Sequence, residues 1–376
     1  MVAAVVLGLA IAMGSASAPV TWELADPIPH VFDVGGPLSD GSLLAAAGGK
    51  LFLLDSVTGA QERFAGGQGG YPGAGGEEPY IAVTPIHAAA HTTFQRDNVF
   101  VLQLKPAGGI LRIDSAGVAH QFANVDGVDS LNGITFDQTG AFGFRLLVTG
   151  SHAHHTIVAA IDGDGNVSVI TREAPTVEGG IAVAPAGFGR FGGDLIAPDE
   201  LSGYVYAIAP DGFARVVARP DLARGGDTGV EAAGFIPDGD LSTLTVYFAD
   251  RGTPGNAHPG TDNLLALNGA ALARRAVKSG DLLLATEGGA GVVVVRCDMT
   301  SCQVTQLIAD NGTSHGEGHI LVVAGRPGQA FGPAPAAVRS SAPVTPPALL
   351  AALIAGALVL VMLASAVLLR RSRSRS

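Results

Sequence analysis

The sequence predicts an all-β fold, a β-propeller of about six four-stranded blades, with one transmembrane helix after it. Three observations predict it. A short apolar strand, a tight polar turn and a second strand recur, with clear copies starting at residues 51, 110, 158 and 205, a spacing of about 50. Further apolar runs stand near these hairpins, at 146–148, 194–196, 245–248 and 281–284, and a still earlier strand completes a unit of four. Glycine, at 53 of 376 residues, is about twice its ordinary share of ~7%. That excess suits many turns and opposes long packed helices.

Taken in chain order, residues 1–18 read as a secretory signal. An apolar run is followed by the small residues Ala16-Ser17-Ala18, a cleavage-type ending, although no Lys or Arg precedes the run. An uncleaved anchor is the competing reading. Residues 19–324 form the propeller ectodomain. Its hairpins turn on Thr58-Gly59, Ala116-Gly117, Asp164-Gly165 and Asp211-Gly212, the last two being strong hairpin signals. Asn268-Gly269 marks a looser copy. The stretch from Leu264 to Val292 is too short for a full blade, so an irregular joint is expected there. Cys297 and Cys302 are the only cysteines and lie between two strand-like runs, 292–295 and 304–308. Outside the cell they would form a disulfide that staples a hairpin end.

Residues 325–347 carry Pro327, Pro333, Pro335, Pro343, Pro346 and Pro347 and read as an extended stalk. From Ala348 to Leu369 there are 22 residues without a charge. As a helix they would span about 33 Å, against a hydrocarbon core of about 30 Å. The tail 370–376 holds four arginines and should stay cytoplasmic, leaving the N-terminal domain outside the cell membrane. With that tail set apart, 18 cations face 33 acids, a net of −15. Phosphate would be repelled, which excludes nucleic acid as a partner. Ala, Gly and Arg richness with little Lys points to a high-GC bacterial genome.

The expected inner strands carry the most specific pattern. Glu78-Pro79-Tyr80-Ile81-Ala82-Val83, Glu178-Gly179-Gly180-Ile181-Ala182-Val183 and Glu317-Gly318-His319-Ile320-Leu321-Val322 share Glu, two residues, Ile, one residue, Val. Glu231 opens a looser copy, and Asn132 stands one position later in another. Inner strands line the channel of a propeller, so these side chains are expected to converge at one mouth. Four carboxylates and an amide without a nearby Lys or Arg would repel one another. They would then bind a divalent metal, Ca²⁺ preferred, or hold protons, or accept backbone N–H groups as mortar between blades.

Asn132-Gly133-Ile134, followed by Phe136-Asp137 and Thr139-Gly140, resembles the inner strand of six-bladed propellers of the SMP-30/gluconolactonase/NHL type. So does the run from Gly193 to Asp199, with Gly203-Tyr204-Val205-Tyr206 and Pro210-Asp211-Gly212. The resemblance covers residues 95–250. It implies a divalent metal on the axis held by Glu, Asn and Asp side chains, with Glu78 and Asn132 matching by position. Glu231 stands where the family's catalytic aspartate falls, but its surroundings and the extra glutamates depart from the family pattern. The expected function is a membrane-anchored extracellular module that binds a ligand or protein partner. The alternative is a metal-dependent lactonase- or esterase-like hydrolase in which Glu78, Asn132, Glu178, Glu231 and Glu317 hold the metal and Glu231 is catalytic.

Other constellations read as structure. His152, His154 and His155 follow a strand and read as a surface loop. His87 and His91 are spaced i, i+4, but the local pattern does not read as helical. Asp162 to Ser168 imitates a calcium loop, yet Val167 occupies the position that needs Gly. The repeat explains it as a hairpin turn. His315 and His319 flank Glu317 and are expected near the channel mouth.

Overall fold

The computed structural model describes residues 19–73, 79–105, 107–220 and 222–324. The expected signal, stalk, membrane span and basic tail lie outside them. No helix among the described residues is long and apolar enough to cross a membrane.

The chain opens with β1 (Glu23–Pro27). The first blade is β2 (Val31–Gly35), β3 (Leu43–Ala47), β4 (Lys50–Leu54) and β5 (Gln61–Phe64). The second is β6 (Ile81–Val83), β7 (Val99–Gln103), β8 (Gly109–Ile113) and β9 (Ala119–Asn124). The third is β10 (Ser130–Phe136), β11 (Leu146–His152), β12 (His155–Ile161) and β13 (Val167–Ala174). The fourth is β14 (Ala182–Val183), β15 (Leu195–Asp199), β16 (Tyr204–Ile208) and β17 (Ala214–Ala218). In each, neighbours in sequence are neighbours in the sheet, and every pairing is antiparallel.

The last two blades are interleaved. After β18 (Val230–Phe235), the chain passes to β19 (Leu244–Asp250) and β20 (Asn263–Asn268), which belong to the next blade. It then returns to β21 (Leu282–Thr286), β22 (Val292–Cys297) and β23 (Cys302–Ile308) before β24 (Gly316–Ala324). The fifth blade is thus β18-β21-β22-β23, and the sixth is β24-β19-β20-β1. This is the irregular joint that the short Leu264–Val292 interval signalled. The N-terminal strand closes the ring by pairing with β20, Leu24 opposite Leu265.

Burial explains the strand types. β3, β7, β15 and β21 are buried along their whole length, so they read as continuous apolar runs. Outer strands such as β5 and β23 face water and carry polar residues. Six apolar clusters fill the spaces between adjacent blades. Each fully buried Leu, Val or Ile in them contributes about 1.5–3 kcal/mol relative to exposure.

The hairpin turns have a common cause. Asp55, Asp114, Asp162, Asp211 and Asp298 each accept a backbone N–H two residues on, at 2.7–3.0 Å. Asp162 also accepts from Asn166 N and Nδ2, so its carboxylate is spent on the turn, as the repeat predicts. Gly165 there has φ +87°, which L side chains resist. Cys297 and Cys302 pair in register across the β22–β23 hairpin and form the expected disulfide. One local expectation is corrected: His87 and His91 lie on a six-residue helix, α1 (Ile86–His91), capped by the bond from Thr92 N to Ala88 O. His91 stacks on Phe144, ring centroids 4.4 Å apart.

Candidate functional site

Inner strands begin, and second strands end, at the same mouth of the ring. That geometry assembles the site from two sets of residues. Glu231 and Glu317 are second in β18 and β24, Tyr80 precedes β6, and His315 precedes β24. Glu200, Arg251 and Glu287 directly follow β15, β19 and β21.

The centre is a buried ion cluster. His315 Nε2 lies 2.9 Å from Glu287 Oε1 and 3.2 Å from Glu317 Oε1. Arg251 Nη1 donates to the same Glu317 oxygen at 3.0 Å. The expectation of carboxylates without a nearby cation is therefore corrected: Arg251 and His315 sit among them. Backbone bonds fix the cluster, with Gly316 N on Glu287 O at 2.7 Å and Arg251 N on His315 O at 2.8 Å. The side chain of Asp250 adds a bond from His315 N at 2.8 Å.

These contacts set the protonation. Burial alone would lower the imidazole pKa of His315, but its bonds to Glu287 and Glu317 outweigh burial and carry it to about 10. Burial pushes Glu200 up to about 9, helped by its hydrogen bond to Glu287 and the charge there. Glu200 is thus a neutral acid at pH 7. Burial would raise Glu287 too, but bonds from His315 and Glu200 bring it below the usual carboxylate range. Glu231 is buried and sits far above that range, from burial first and then the charges of Glu317 and Glu287. Tyr80 Oη donates to its Oε1 at 2.7 Å.

Two contacts cross the axis just below. The second blade faces the fifth and the third faces the sixth, so the Tyr80–Glu231 bond is diametral. So is the bond from His319 Nε2 to the Ile134 carbonyl, 2.7 Å. The other ring nitrogen of His319 lies 2.9 Å from both oxygens of Asp33. With an acceptor at each nitrogen the ring carries both protons. Burial would lower its pKa, and the Asp33 charge reverses that and raises it. Asp33, 0% exposed, also accepts from the backbone of Val34, Ile81 and His319, each at 2.8 Å. Gly180 closes the remaining gap by exchanging bonds with Glu231 O and Ala233 N at 2.9 and 2.8 Å. These bonds tie opposite blades together across the axis.

Of the five residues expected to hold a metal, Glu317 is in the cluster and Glu231 lies beside it, bonded to Tyr80. Asn132 points its Nδ2 at Val177 O, 2.8 Å, and its buried Oδ1 has no partner. Glu178 is exposed, yet its charge raises both Tyr80 and Glu200. Glu78 lies outside the described residues. Among the described residues one group offers three metal-ligand atoms within 4.8 Å of one another, and it is Glu287, His315 and Glu317. Sequence reasoning found Glu317 and placed His315 near it, but missed Glu200, Arg251 and Glu287. Their signal was positional: Asp199-Glu200, Asp250-Arg251 and Thr286-Glu287 each end a second strand in a polar pair. The histidines of the β11–β12 turn stay apart, and His155 reaches only Glu173, at 3.6 Å on the surface.

Fold and site together define a six-bladed β-propeller with one acidic, ion-paired mouth and side-chain hydrogen bonds that cross its axis. No protein-family profile matches the chain, and no curated protein does. Among solved structures it is similar to a gluconolactonase from Xanthomonas campestris, at 14% identity over 80% of this chain and 85% of that one, TM-score 0.44. A streptogramin B lyase is similar at 11% identity over 76% and 72%, TM-score 0.43. A TolB-like protein from Agrobacterium tumefaciens is similar at 13% identity over 80% and 84%, TM-score 0.39. The blade count rests on the sheet order above, and nothing about activity follows from these likenesses.

Proposed function

We propose that the protein is a ligand-binding β-propeller, anchored to the outer face of a cell membrane through Ala348 to Leu369, whose acidic mouth takes up a divalent cation. The observation that carries the metal reading is the convergence of Glu287, His315 and Glu317. Two buried atoms beside it, Glu200 Oε1 and His315 Nδ1, have no hydrogen-bond partner, which fits a site that rearranges on loading. An imidazole among carboxylates suits Zn²⁺ or Mn²⁺ better than the Ca²⁺ that an all-oxygen set would favour. Arg251 opposes the ion by holding Glu317, so loading requires that carboxylate to be shared.

The test is calorimetry and melting of chelator-stripped protein with Zn²⁺, Mn²⁺ and Ca²⁺. We expect one ion per chain, a raised melting temperature and proton release, since His315 must lose its proton to bind. Glu287→Gln should weaken binding by at least about tenfold. If no ion raises the melting temperature and none co-purifies, the metal reading fails and the cluster is mortar between blades. If an ion binds, a panel of lactones and esters, with Glu231→Gln as control, separates hydrolysis from binding.

The metal-free protein should also lose stability as pH rises. The folded-state pKa of His315 is raised, so its contribution is complete below its unfolded value of 6.5 and is lost as pH passes about 10. Glu200 acts in the same sense. Its unfolded carboxyl ionises above 4.5 while the buried one holds its proton to about 9. Urea midpoints should therefore fall between about pH 5 and pH 10. A midpoint that rises over that window contradicts the assignment of protons.

A further inference from the structure

The acidic mouth has a second imidazole beside His315 that the ion cluster does not use. The connection from β19 to β20 starts at Arg251, which already bonds Glu317, and carries His258 near its far end. Both feet of this strap are fixed. Gly252 N donates to Asp262 Oδ1 at 2.8 Å, and Gly260 N donates to Thr313 O at 2.9 Å. Inside it, Thr253 N bonds Pro259 O at 2.8 Å and His258 N bonds Asn256 Oδ1 at 2.9 Å. Strand pairing shows where the His258 ring lies. Gly288, the residue after Glu287, forms an antiparallel bridge with His315. The hydrogen bonds flank this pair: Gly289 N donates to Ser314 O and Gly316 N to Glu287 O, each at 2.7 Å. The Cα atoms of such a pair are about 4.5 Å apart, and opposite side chains stand next to each other on one face. Gly288 has no side chain, and His258 takes its place. A Cβ on Gly288 would lie 2.9 Å from Cδ2 and 3.0 Å from Nε2 of His258. The two imidazoles therefore sit side by side on one face of the sheet.

The nitrogens of His258 are uncommitted. Nδ1 is buried without a partner, and Nε2 has none among the described residues. A buried ring nitrogen left unpaired calls for an ion or a water to complete it. We infer that His258 is a fourth ligand of the divalent ion, joining Glu287, His315 and Glu317; this rests on the metal reading above. His258 stands outside the three-residue group of ligand atoms, so it joins on loading, by a turn of its side chain. The strap is suited to that adjustment. It is neither strand nor helix, its tip at Pro254-Gly255 is exposed, and Gly255 has φ +98°. Two imidazoles and two carboxylates make a tetrahedral set that suits Zn²⁺, and the two carboxylates balance its charge. Four protein ligands leave no open position, which is the mark of a structural rather than a catalytic zinc site. Glu287 follows a strand of the fifth blade and Glu317 belongs to the sixth. The ion therefore clamps these two blades at the joint where they exchange strands.

The experiment compares wild type with His258→Phe and His258→Asp, each as the chelator-stripped full chain in lipid nanodiscs. Zn²⁺ binding is measured by calorimetry, and one equivalent of Co²⁺ serves as the spectroscopic probe. Wild type should show the strong visible absorption of four-coordinate Co²⁺, unchanged by added azide. In His258→Phe a ring still fills the place beside Gly288, so the metal-free melting temperature should match wild type. Its Zn²⁺ affinity should fall by at least about tenfold. Its Co²⁺ absorption should weaken and respond to azide, which enters the vacated position. His258→Asp returns a ligand atom, so it should recover affinity and resistance to azide, an outcome that a merely structural role for the ring does not predict. If stripped wild type takes up neither ion, the metal reading falls and this inference with it. If wild type binds and His258→Phe equals it in affinity, absorption and response to azide, His258 is not a ligand and the three-residue site stands without it.

Discussion

Replacing Asp33 by Ala should lower the unfolding free energy of the propeller by roughly 3–5 kcal/mol, the range for breaking a buried ion pair by removing one partner. Asp33 is inaccessible to water and gathers three backbone N–H groups and the His319 ring. Those donors come from the first, second and sixth blades. The alanine variant leaves three buried N–H groups without an acceptor and a buried imidazolium without its counter-charge. Asn at this position keeps the shape but presents an NH₂ group to donors, so it should recover only part of the loss. The variant with both Asp33→Leu and His319→Leu should be more stable than the sum of the single losses implies, because neither charge is then stranded. Denaturant midpoints for wild type, Asp33→Leu, His319→Leu and the double variant measure this coupling. If Asp33→Ala unfolds at the wild-type midpoint, the bonds across the axis do not hold the blades together.

The second large effect is expected at Gly179. Its φ is +91°, and a Cβ there would lie 2.0 Å from the Glu231 carbonyl and 2.7 Å from its carboxylate. The backbone has no room to yield, because Gly180 is hydrogen-bonded to the fifth blade on both its N–H and its carbonyl. A strained φ alone costs about 1–3 kcal/mol, and the clash adds to it, so Gly179→Ala should cost about 3 kcal/mol or more. It should also expose Glu231 by pushing the fourth and fifth blades apart. Gly187→Ala is the matched control. Its Cβ meets nothing within 4 Å and its φ is ordinary, so it should be neutral or stabilise by about 0.4–1 kcal/mol. Thermal melts of the two variants side by side make the comparison. Equal melting temperatures would mean that the approach of the two blades at the axis is not tight.

The blade repeat was legible because strand, Asp-headed turn and strand are local features that recur. The inner-strand motif was legible for the same reason, and it located the acidic mouth. Strand exchange was not. Sequence order says that β19 and β20 form a hairpin, but not that their inner neighbour is β24 rather than β18. The site was half legible. Glu231 and Glu317 belong to the repeated motif, whereas Glu287, Glu200 and Arg251 sit at ends of second strands, where polar residues usually mark turns. Their meeting depends on register between blades, which no window along the chain contains. His315 was placed near the mouth, but its partner Glu287 lies in the fifth blade.

The exchange between the fifth and sixth blades bears on how such a ring is inherited. A gene segment that encodes residues 31–218 can gain or lose a unit and leave every remaining blade whole, since each unit there is contiguous. The segment from 230 to 324 has no such cut. Removing either half of it takes strands from two blades at once, and removing the first half also strips β1 of its partner β20. A single cut can therefore add or remove a whole blade only among the first four units, whereas the last two can be exchanged only together.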